Sequence, residues 1–300
     1  MTSSYLWIPV TLAAAAAQTG RNATQRRLTQ TIGTVGATQV RFLYGFPFAL
    51  LALGLVRILF GEPIPAPQGT FLLFVLAGAT AQILATALML AAMRERSFSV
   101  VTAYMKTEPV QVALFGIVIL GDVLSPGAAL GIAVATLGVV LMSLKPGSEL
   151  SAAGLRPTIY GIASGAFFAL AAIGFRGAIL ALPEGSFVMR STATLAWALG
   201  TQTALLLVWL GLFDRKALVE SFKAWRPSLG AGFLGALASQ FWFIGFSLTT
   251  AANVRTLALV EVLMAQAVSH RLLSQATTRR EILGMVLILA GVGMLLLGQH

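Results

Sequence analysis

Apolar residues run along this chain in long stretches, and short polar segments separate them. A helix that crosses the hydrocarbon core of a bilayer needs about 20 mainly apolar residues. We predict ten transmembrane helices, at 5–20, 34–60, 70–93, 97–120, 127–144, 157–180, 187–213, 229–249, 253–273 and 281–298. The predicted fold class is therefore an all-α polytopic membrane protein with ten transmembrane helices.

The segments between the predicted helices are short and carry turn chemistry. Gly61–Pro67 holds three prolines, and Pro126-Gly127 and Pro146-Gly147 mark two further breaks. Such residues end helices and favour turns. No stretch of sequence is left over for a soluble domain, so we expect only membrane helices and their connections.

The longest polar break follows the predicted seventh helix. Asp214 has the character of a helix N-cap, and Pro227 has that of a helix stop. Leu218, Phe222 and Trp225 fall on one helical face, and basic residues surround them. This pattern is typical of a short helix lying in the membrane interface. A solvated loop fits the same residues equally well.

The alanine run Ala13–Ala17 near the start of the chain resembles part of a secretory signal peptide. A signal peptide needs a basic segment before its apolar core. Met1–Ser4 contains no basic residue, and the first positive charge, Arg21, comes after the apolar stretch. We therefore expect residues 5–20 to be a retained transmembrane helix.

The composition agrees with a membrane protein. Hydrophobic residues make up 57% of the chain and charged residues 10%, whereas soluble proteins carry roughly 25% charged residues. There is no cysteine, and the two histidines are His270 and His300. We expect no metal site and no cofactor. Because the sequence has no Walker A motif, ATP is not expected to drive the protein directly.

The 20 basic residues are divided unequally between the two sides of the predicted bundle. Loops after odd-numbered helices hold 14 of them: Arg21, Arg26, Arg27, Arg94, Arg96, Lys145, Arg156, Arg215, Lys216, Lys223, Arg226, Arg271, Arg279 and Arg280. The other side holds at most four: Arg57, Arg176, Arg190 and Arg255. Because basic loops favour the cytoplasm, we predict that the odd-numbered loops are cytoplasmic and that both termini lie outside. The charge is spread over five loops, so we expect no nucleic-acid partner.

The sequence repeats itself at an offset of 153 residues. This shift places Glu108 on Glu261, Gly131 on Gly284 and Gly138 on Gly291. We predict two five-helix halves, 1–146 and 147–300. An odd number of helices in each half makes the second half inverted, and inverted repeats are typical of transporters whose substrate site lies near the membrane midplane. A central midplane cavity and alternating access follow as expectations.

The end of the first half resembles the EamA repeat of the drug/metabolite transporter superfamily. The matching features are a proline in the fourth helix, an acidic residue after that helix and a glycine-rich fifth helix. The residues that carry the resemblance are Glu108-Pro109-Val110-Gln111-Val112-Ala113-Leu114-Phe115, Leu120-Gly121-Asp122, Gly131 and Leu137-Gly138-Val139. In the second half, Val262 replaces the proline and Gln275 the acid, while Gly284 and Gly291 remain.

Within the superfamily the chain is most similar to the YddG-type bacterial exporters of aromatic amino acids. The resemblance implies a multi-pass transporter of the plasma (bacterial inner) membrane that exports small metabolites and is not an enzyme. Aromatic or hydrophobic amino acids are the first expectation for the substrate, and another metabolite or a drug is the alternative. The expected partners are a small-molecule substrate and the lipid bilayer; the oligomeric state stays open, and a monomer is compatible with the sequence.

Ionisable residues inside a membrane are costly and usually face a cavity or a partner. Amides and aromatic rings in mid-helix add hydrogen-bonding groups and ring surfaces that suit an amino acid. The predicted substrate-binding residues are Gln18, Gln82, Tyr104, Lys106, Glu108, Gln240, Trp242, Phe243 and Glu261.

Each of these residues has a structural alternative. The glutamates fit packing roles, Lys106 fits pairing with a glutamate, and interhelical hydrogen bonds account for amides in membrane helices. By the 3.6-residue turn, Lys106 lies about 200° around the helix from Glu108, so the two need not share a pocket. Facilitated export and proton coupling through a glutamate both remain open. An intramembrane hydrolase using Ser164 and His270, and a sensor without transport, are the less favoured functions.

Overall fold

A computed structural model describes residues 5–95, 101, 104–143, 155–263 and 279–298. The α-helices in this part of the chain are α1 (Trp7–Phe60), α2 (Gly69–Glu95), α3 (Glu108–Phe115), α4 (Pro126–Ser143), α5 (Leu155–Ala181), α6 (Phe187–Phe213), α7 (Arg215–Lys223), α8 (Trp225–Leu248), α9 (Ala251–Leu257) and α10 (Arg279–Leu297). A π-helical turn, Gly116–Leu120, continues α3. The described residues form no strand, so the all-α prediction is confirmed for them.

Six stretches within the described residues are long and apolar enough to cross a membrane: Thr38–Phe60, Gly69–Met89, Ile159–Ala181, Phe187–Phe213, Trp225–Leu248 and Arg279–Leu297. Glu108–Leu120 and Pro126–Leu141 are shorter apolar helices. The chain is therefore built as an integral membrane protein, whereas the predicted number of ten spanning helices stays a prediction.

The first two predicted helices form one helical element, α1, and the predicted polar loop between them is absent from it. The intervening residues include Ala23, Gln25 and Leu28 and contain no proline. Such residues favour a helical backbone. Polarity alone therefore did not end the helix, and the prediction of a loop after residue 20 was wrong.

Helix α1 nevertheless folds back on itself. A Cβ on Gly235 of α8 would lie 3.7 Å from Arg21 Cδ and 3.5 Å from Arg41 Cγ. In a straight helix the 20 residues from Arg21 to Arg41 would span about 30 Å. Leu28 and Val40 also cluster with Ala231 of α8. The chain therefore reverses its direction between Leu28 and Val40. The parts of α1 before and after this reversal both pack on α8.

Helix α6 has the bounds that the apolar pattern predicted. Ser186 caps its start, because Ser186 Oγ accepts a hydrogen bond of 3.2 Å from the Met189 amide. Glu62 Oε2 in turn accepts a bond of 2.7 Å from the Ser186 amide. At the other end Asp214 caps the next helix, α7, by accepting from the Ala217 amide at 3.0 Å. The predicted N-cap at Asp214 is confirmed.

Pro227 does not end a helix. It lies in the first turn of α8, which starts at Trp225. Proline is tolerated there because the first turn of a helix needs no amide donor. The interpretation of Pro227 as a stop was therefore wrong. The break after α6 holds a helix, α7, with Val219, Phe222 and Trp225 exposed at its surface or just after it.

The chain divides into two compact units. Unit 1 comprises Met1–Ile83 and Gly174–Thr249, and unit 2 comprises Leu84–Ile173 and Thr250–His300. Unit 1 takes one segment from each predicted half, whereas the first segment of unit 2 crosses the boundary between the halves. The units therefore follow a different division from the predicted halves, 1–146 and 147–300.

In unit 1, small residues bring helices into close contact. A Cβ on Gly174 would lie 2.8 Å from Gly78 Cα, and a Cβ on Gly232 would lie 2.7 Å from Tyr44 O. The Tyr44 hydroxyl donates to Ser221 O at 3.1 Å. Small residues at these positions let membrane helices approach backbone to backbone.

In unit 2, α4 and α10 pack through a crossed pair of glycine contacts. A Cβ on Gly131 would lie 2.6 Å from Gly291 O, and a Cβ on Gly138 would lie 2.6 Å from Gly284 O. Because the residue number rises in α4 as it falls in α10, the two helices are antiparallel. These helices are equivalent at the 153-residue offset, so their opposite directions agree with an inverted repeat.

Candidate functional site

The predicted fourth helix, 97–120, is interrupted in its middle. Lys106 and Thr107 form a turn, and α3 begins at Glu108. The Thr107 hydroxyl donates a hydrogen bond to Tyr104 O at 2.7 Å. A side chain therefore satisfies a backbone carbonyl group at the break. Pro109 lies in the first turn of α3, where its missing amide is not needed. The predicted helix 97–120 is thus broken just before Pro109, and the prediction of a continuous helix was wrong.

The predicted ninth helix, 253–273, is interrupted at the corresponding place. Helix α9 ends at Leu257, Ala258 and Leu259 form a turn, and the chain is helical again at 260–263. The Glu261 amide donates to Ala258 O at 3.0 Å, which tightens the chain at this turn. The rest of the predicted helix lies outside the described residues.

Two ion pairs link the two interruptions. Lys106 Nζ pairs with Glu261 Oε1, and Arg255 Nε lies 3.2 Å from Glu108 Oε1. Each glutamate therefore pairs with the base that the other interrupted segment supplies. We call these four residues the crossed ion-pair cluster.

The side chains of the crossed ion-pair cluster are only partly buried. The side-chain exposure is 20% for Lys106 and 18% for Glu261, and it is 14% for Arg255 and 18% for Glu108. Burying a charge is costly unless an opposite charge compensates it. Two acids and two bases balance to zero, which makes the cluster tolerable within apolar helices while some of its surface stays accessible.

Helix α5 covers the residues next to the first interruption. A Cβ on Gly161 would lie 2.8 Å from Tyr104 Cβ, and a Cβ on Gly165 would lie 3.3 Å from Gln111 Oε1. Gln111 Nε2 donates to the Thr107 hydroxyl at 3.3 Å. Gly161 and Gly165 thus let α5 pack closely against the break that carries Lys106 and Glu108.

Arg255 is the functional candidate that the sequence reasoning missed. It had been counted with the basic residues on the non-cytoplasmic side, near the start of the predicted helix 253–273, and it lies in α9 and pairs with Glu108. Its position six residues before Glu261 in an apolar run was the available signal. Arg21, also counted with the loops, is 8% exposed within α1. The charge imbalance that favours the predicted orientation therefore rests on the remaining loop residues.

Five predicted site residues lie in unit 1: Gln18, Gln82, Gln240, Trp242 and Phe243. The side-chain amides among them form hydrogen bonds between helices. Trp242 Nε1 donates to Gln18 Oε1 at 3.1 Å. Gln202 Nε2 donates to Gln82 Oε1 at 2.6 Å. These bonds have the form of the structural alternative. A substrate role for these residues stays a prediction.

The side-chain amide of Gln240 uses its nitrogen in a hydrogen bond, whereas its oxygen has no partner among the described residues. Its Nε2 donates to the Thr192 hydroxyl at 2.9 Å. Its Oε1 is buried and has no hydrogen-bond partner among the described residues. A buried acceptor without a donor is costly, so Gln240 presents an acceptor that suits an ammonium or hydroxyl group.

Trp242 and Phe243 are buried in unit 1, with 4% exposure each. The Phe243 ring lies 4.9 Å from the Phe175 ring and 6.3 Å from the Phe246 ring, measured between centroids. Ser191 Oγ donates to Phe243 O at 3.1 Å. Phe243 therefore belongs to a cluster of three tilted aromatic rings with Phe175 and Phe246, and Trp242 is its buried neighbour in the sequence.

Comparisons with known proteins place the chain in a family. The sequence pattern of the EamA-like transporter family matches residues 5–144 and 156–297. A solved crystal structure superposes with a TM-score of 0.70 at 15% identity and covers 96% of this chain and 98% of its own; this likeness concerns the fold alone. No curated protein matches the sequence. Members of the matched family are transporters and not enzymes. The chain therefore belongs to the EamA-like transporter family and is a membrane transporter of small molecules.

Proposed function

We propose that the protein exports small metabolites across the plasma membrane by alternating access, and that aromatic and other hydrophobic amino acids are its main substrates. The observation that carries this proposal is the crossed ion-pair cluster. Interrupted membrane helices with charged side chains at the break are the usual setting of substrate sites in secondary transporters.

The charges of the cluster suit an amino acid. A zwitterion brings one carboxylate and one ammonium into the membrane, and each needs an opposite charge there. Lys106 and Arg255 offer cations for the carboxylate, and Glu108 and Glu261 offer anions for the ammonium. Tyr104 stands at the same break and adds a phenol ring.

The preference for aromatic substrates has a separate basis. Unit 1 carries the aromatic cluster of Phe175, Phe243 and Phe246 and the buried ring of Trp242. An aromatic ring gains roughly 0.5–1.5 kcal/mol from stacking on another ring beyond the gain from burial. The similarity to YddG-type exporters points to the same substrates and to export as the direction.

Counterflow in proteoliposomes tests the proposal. Purified protein is reconstituted into liposomes loaded with unlabelled phenylalanine, and uptake of labelled phenylalanine is measured with a panel of competitors. We expect hydrophobic and aromatic amino acids to compete and nucleosides, sugars and drug cations not to. If a non-amino-acid metabolite is the only competitor, the substrate proposal is wrong while the family assignment stands.

A pair of variants links transport to the site. Glu108→Gln removes one anion of the crossed ion-pair cluster and is expected to reduce phenylalanine counterflow strongly. Glu220→Gln removes an anion from the exposed pair with Lys223, whose atoms are 2.9 Å apart on α7. This matched control is expected to retain counterflow.

A further inference from the structure

We infer that the two ion pairs form a double latch across the interrupted helices, and that Arg255 and Lys106 with their glutamates select ligands carrying both a positive and a negative charge. This inference rests on the proposed function. It goes beyond it by naming a selection rule for the site and by assigning a specificity role to Arg255.

The latch follows from which segments the pairs join. Lys106 lies in the interruption that precedes α3. It pairs with Glu261, which lies just after the interruption that follows α9. Arg255 lies in α9, before the interruption that follows this helix, and it pairs with Glu108, the first residue of α3. Both pairs therefore cross from one interrupted segment to the other. While both ion pairs are formed, they hold the two interrupted segments together.

The selection rule follows from the balance of charge. A ligand carboxylate that draws Lys106 away leaves Glu261 without a cation, and removing one partner of a buried pair is strongly unfavourable. A ligand with only a carboxylate does nothing to relieve this cost. A zwitterion does, because its ammonium compensates Glu261 while its carboxylate meets Lys106. The same reasoning holds for Arg255 and Glu108.

Neutralising one residue of an ion pair is expected to change which ligand the protein prefers, and not merely to weaken the binding of all ligands. Glu261→Gln leaves Lys106 as a free cation, so a ligand with only a carboxylate gains a partner at no cost in broken pairs. Lys106→Gln leaves Glu261 as a free anion and favours a ligand with only an amine. Arg255→Gln and Glu108→Gln should behave in the same two ways.

Three ligands with the same ring and different charge test this rule. Phenylalanine is the zwitterion, phenethylamine carries only the cation, and 3-phenylpropionate carries only the anion. Competition in phenylalanine counterflow and thermal stabilisation of the purified protein are measured for each. In the wild-type protein we expect phenylalanine to bind more tightly than either analogue by about tenfold or more, the ratio that corresponds to about 1.4 kcal/mol.

The variants must then split by the sign of the removed charge. Glu261→Gln and Glu108→Gln are expected to improve 3-phenylpropionate relative to phenylalanine, and Lys106→Gln and Arg255→Gln to improve phenethylamine. A residue with a purely structural role would weaken all three ligands equally, and that result would overturn the inference. Glu220→Gln is expected to leave the order unchanged.

Two further variants keep the test decisive if a neutralised variant does not fold. The reversed pair Lys106→Glu with Glu261→Lys retains both charges and is expected to restore the phenylalanine preference; a folded reversed pair without that preference contradicts the latch. Arg255→Lys is expected to keep the ligand order.

The two proposals fail in different ways. If the wild-type protein accepts phenethylamine or 3-phenylpropionate as well as phenylalanine, the latch is wrong and the amino-acid proposal stands. If it rejects all three and binds alanine or threonine instead, the aromatic preference is wrong. The latch is then tested with the matching amine and acid of the bound amino acid.

Discussion

Arg255 Nε lies 3.2 Å from Glu108 Oε1, although no pattern in the sequence pairs these two residues. The contact joins two segments that lie far apart in the chain, and it is one of two pairs in the crossed ion-pair cluster. Its energetic weight can be measured.

A double-mutant cycle on this pair is the first prediction. Glu108→Gln removes the carboxylate that lies against the Arg255 guanidinium, and because the pair is only partly buried we expect a cost below the about 3–5 kcal/mol of a fully buried pair. Adding Arg255→Gln is expected to restore part of the lost stability, with a coupling energy of about 0.5–3 kcal/mol. Unfolding in detergent is the measurement.

The exposed pair Glu220 and Lys223 supplies the control cycle. Its side chains are 44% and 67% exposed, and exposed pairs contribute little. We expect almost additive effects there. Additive effects in the Glu108–Arg255 cycle as well would show that the contact has no energetic weight.

The packing of α4 on α10 gives a second prediction. Leucine at position 291 would run into the backbone of Ala135 and Gly131, whereas Gly293, on the same helix, has open space at its Cβ position. Overpacking of a tight contact typically costs about 1–3 kcal/mol. We expect Gly291→Leu to lower the thermal midpoint and Gly293→Leu to leave it nearly unchanged. Equal shifts in both would contradict the glycine contact.

The predicted orientation gives a third prediction. Helix α6 connects a loop at Glu184 to a segment at Lys216, and 27 helical residues span about 40 Å. Both positions are exposed, and the chain has no native cysteine. In intact cells we expect Glu184→Cys to react with an impermeant thiol reagent and Lys216→Cys to be protected. The opposite pattern would reverse the orientation without affecting the transporter assignment.

The buried ring of Trp242 gives a fourth prediction. Trp242→Ala removes a ring whose stacking is worth roughly 0.5–1.5 kcal/mol, which is up to about tenfold in affinity. In counterflow we expect weaker competition by phenylalanine or tryptophan, and a much smaller effect on alanine or threonine. Trp209→Ala, which removes a 44% exposed ring from α6, is the control. If Trp242→Ala weakens both classes of amino acid equally, Trp242 supports the fold and not recognition.

The short helix α7 gives a fifth prediction. Phe222 and Val219 are about half exposed on it, beside the basic residues Lys216 and Lys223. An amphipathic helix of this kind inserts its apolar side chains into the interface. A polarity-sensitive fluorophore on Phe222→Cys is expected to emit at shorter wavelength in liposomes than the same fluorophore on Lys216→Cys. Identical water-like emission at both sites would show that α7 lies in water and not in the interface.

The sequence predicted those helices whose ends are chemically marked. Helix α6 has its predicted bounds because Ser186 caps its start and Asp214, just after its end, caps the start of the next helix, α7. Helices α4 and α10 begin within two residues of their predicted starts, since breaks rich in turn residues precede the first and polar residues the second. An apolar run with distinct ends contains nearly all the information that such a helix needs.

The remaining errors have a common physical cause. The stretch after Gln18 is polar but made of helix-forming residues, so its backbone stays helical and the change of direction within α1 comes from packing on α8. Arg255 is another case, because no local pattern shows that its partner is Glu108. Both depend on contacts between segments that are distant in sequence.

The crossed glycine contacts of α4 and α10 have an evolutionary consequence. In them, Gly131 meets Gly291 and Gly138 meets Gly284, so each helix presents the same pair of positions to the other in opposite order. This is the geometry of a two-fold interface, in which a surface recognises its own copy. A half-length ancestor with one such helix would make both contacts with a second copy inserted upside down. Joining the two copies into one chain fixes their ratio at one to one. It also allows positions in the two halves to diverge independently. Lys106 and Arg255 are examples, because neither has a basic counterpart at the repeat offset.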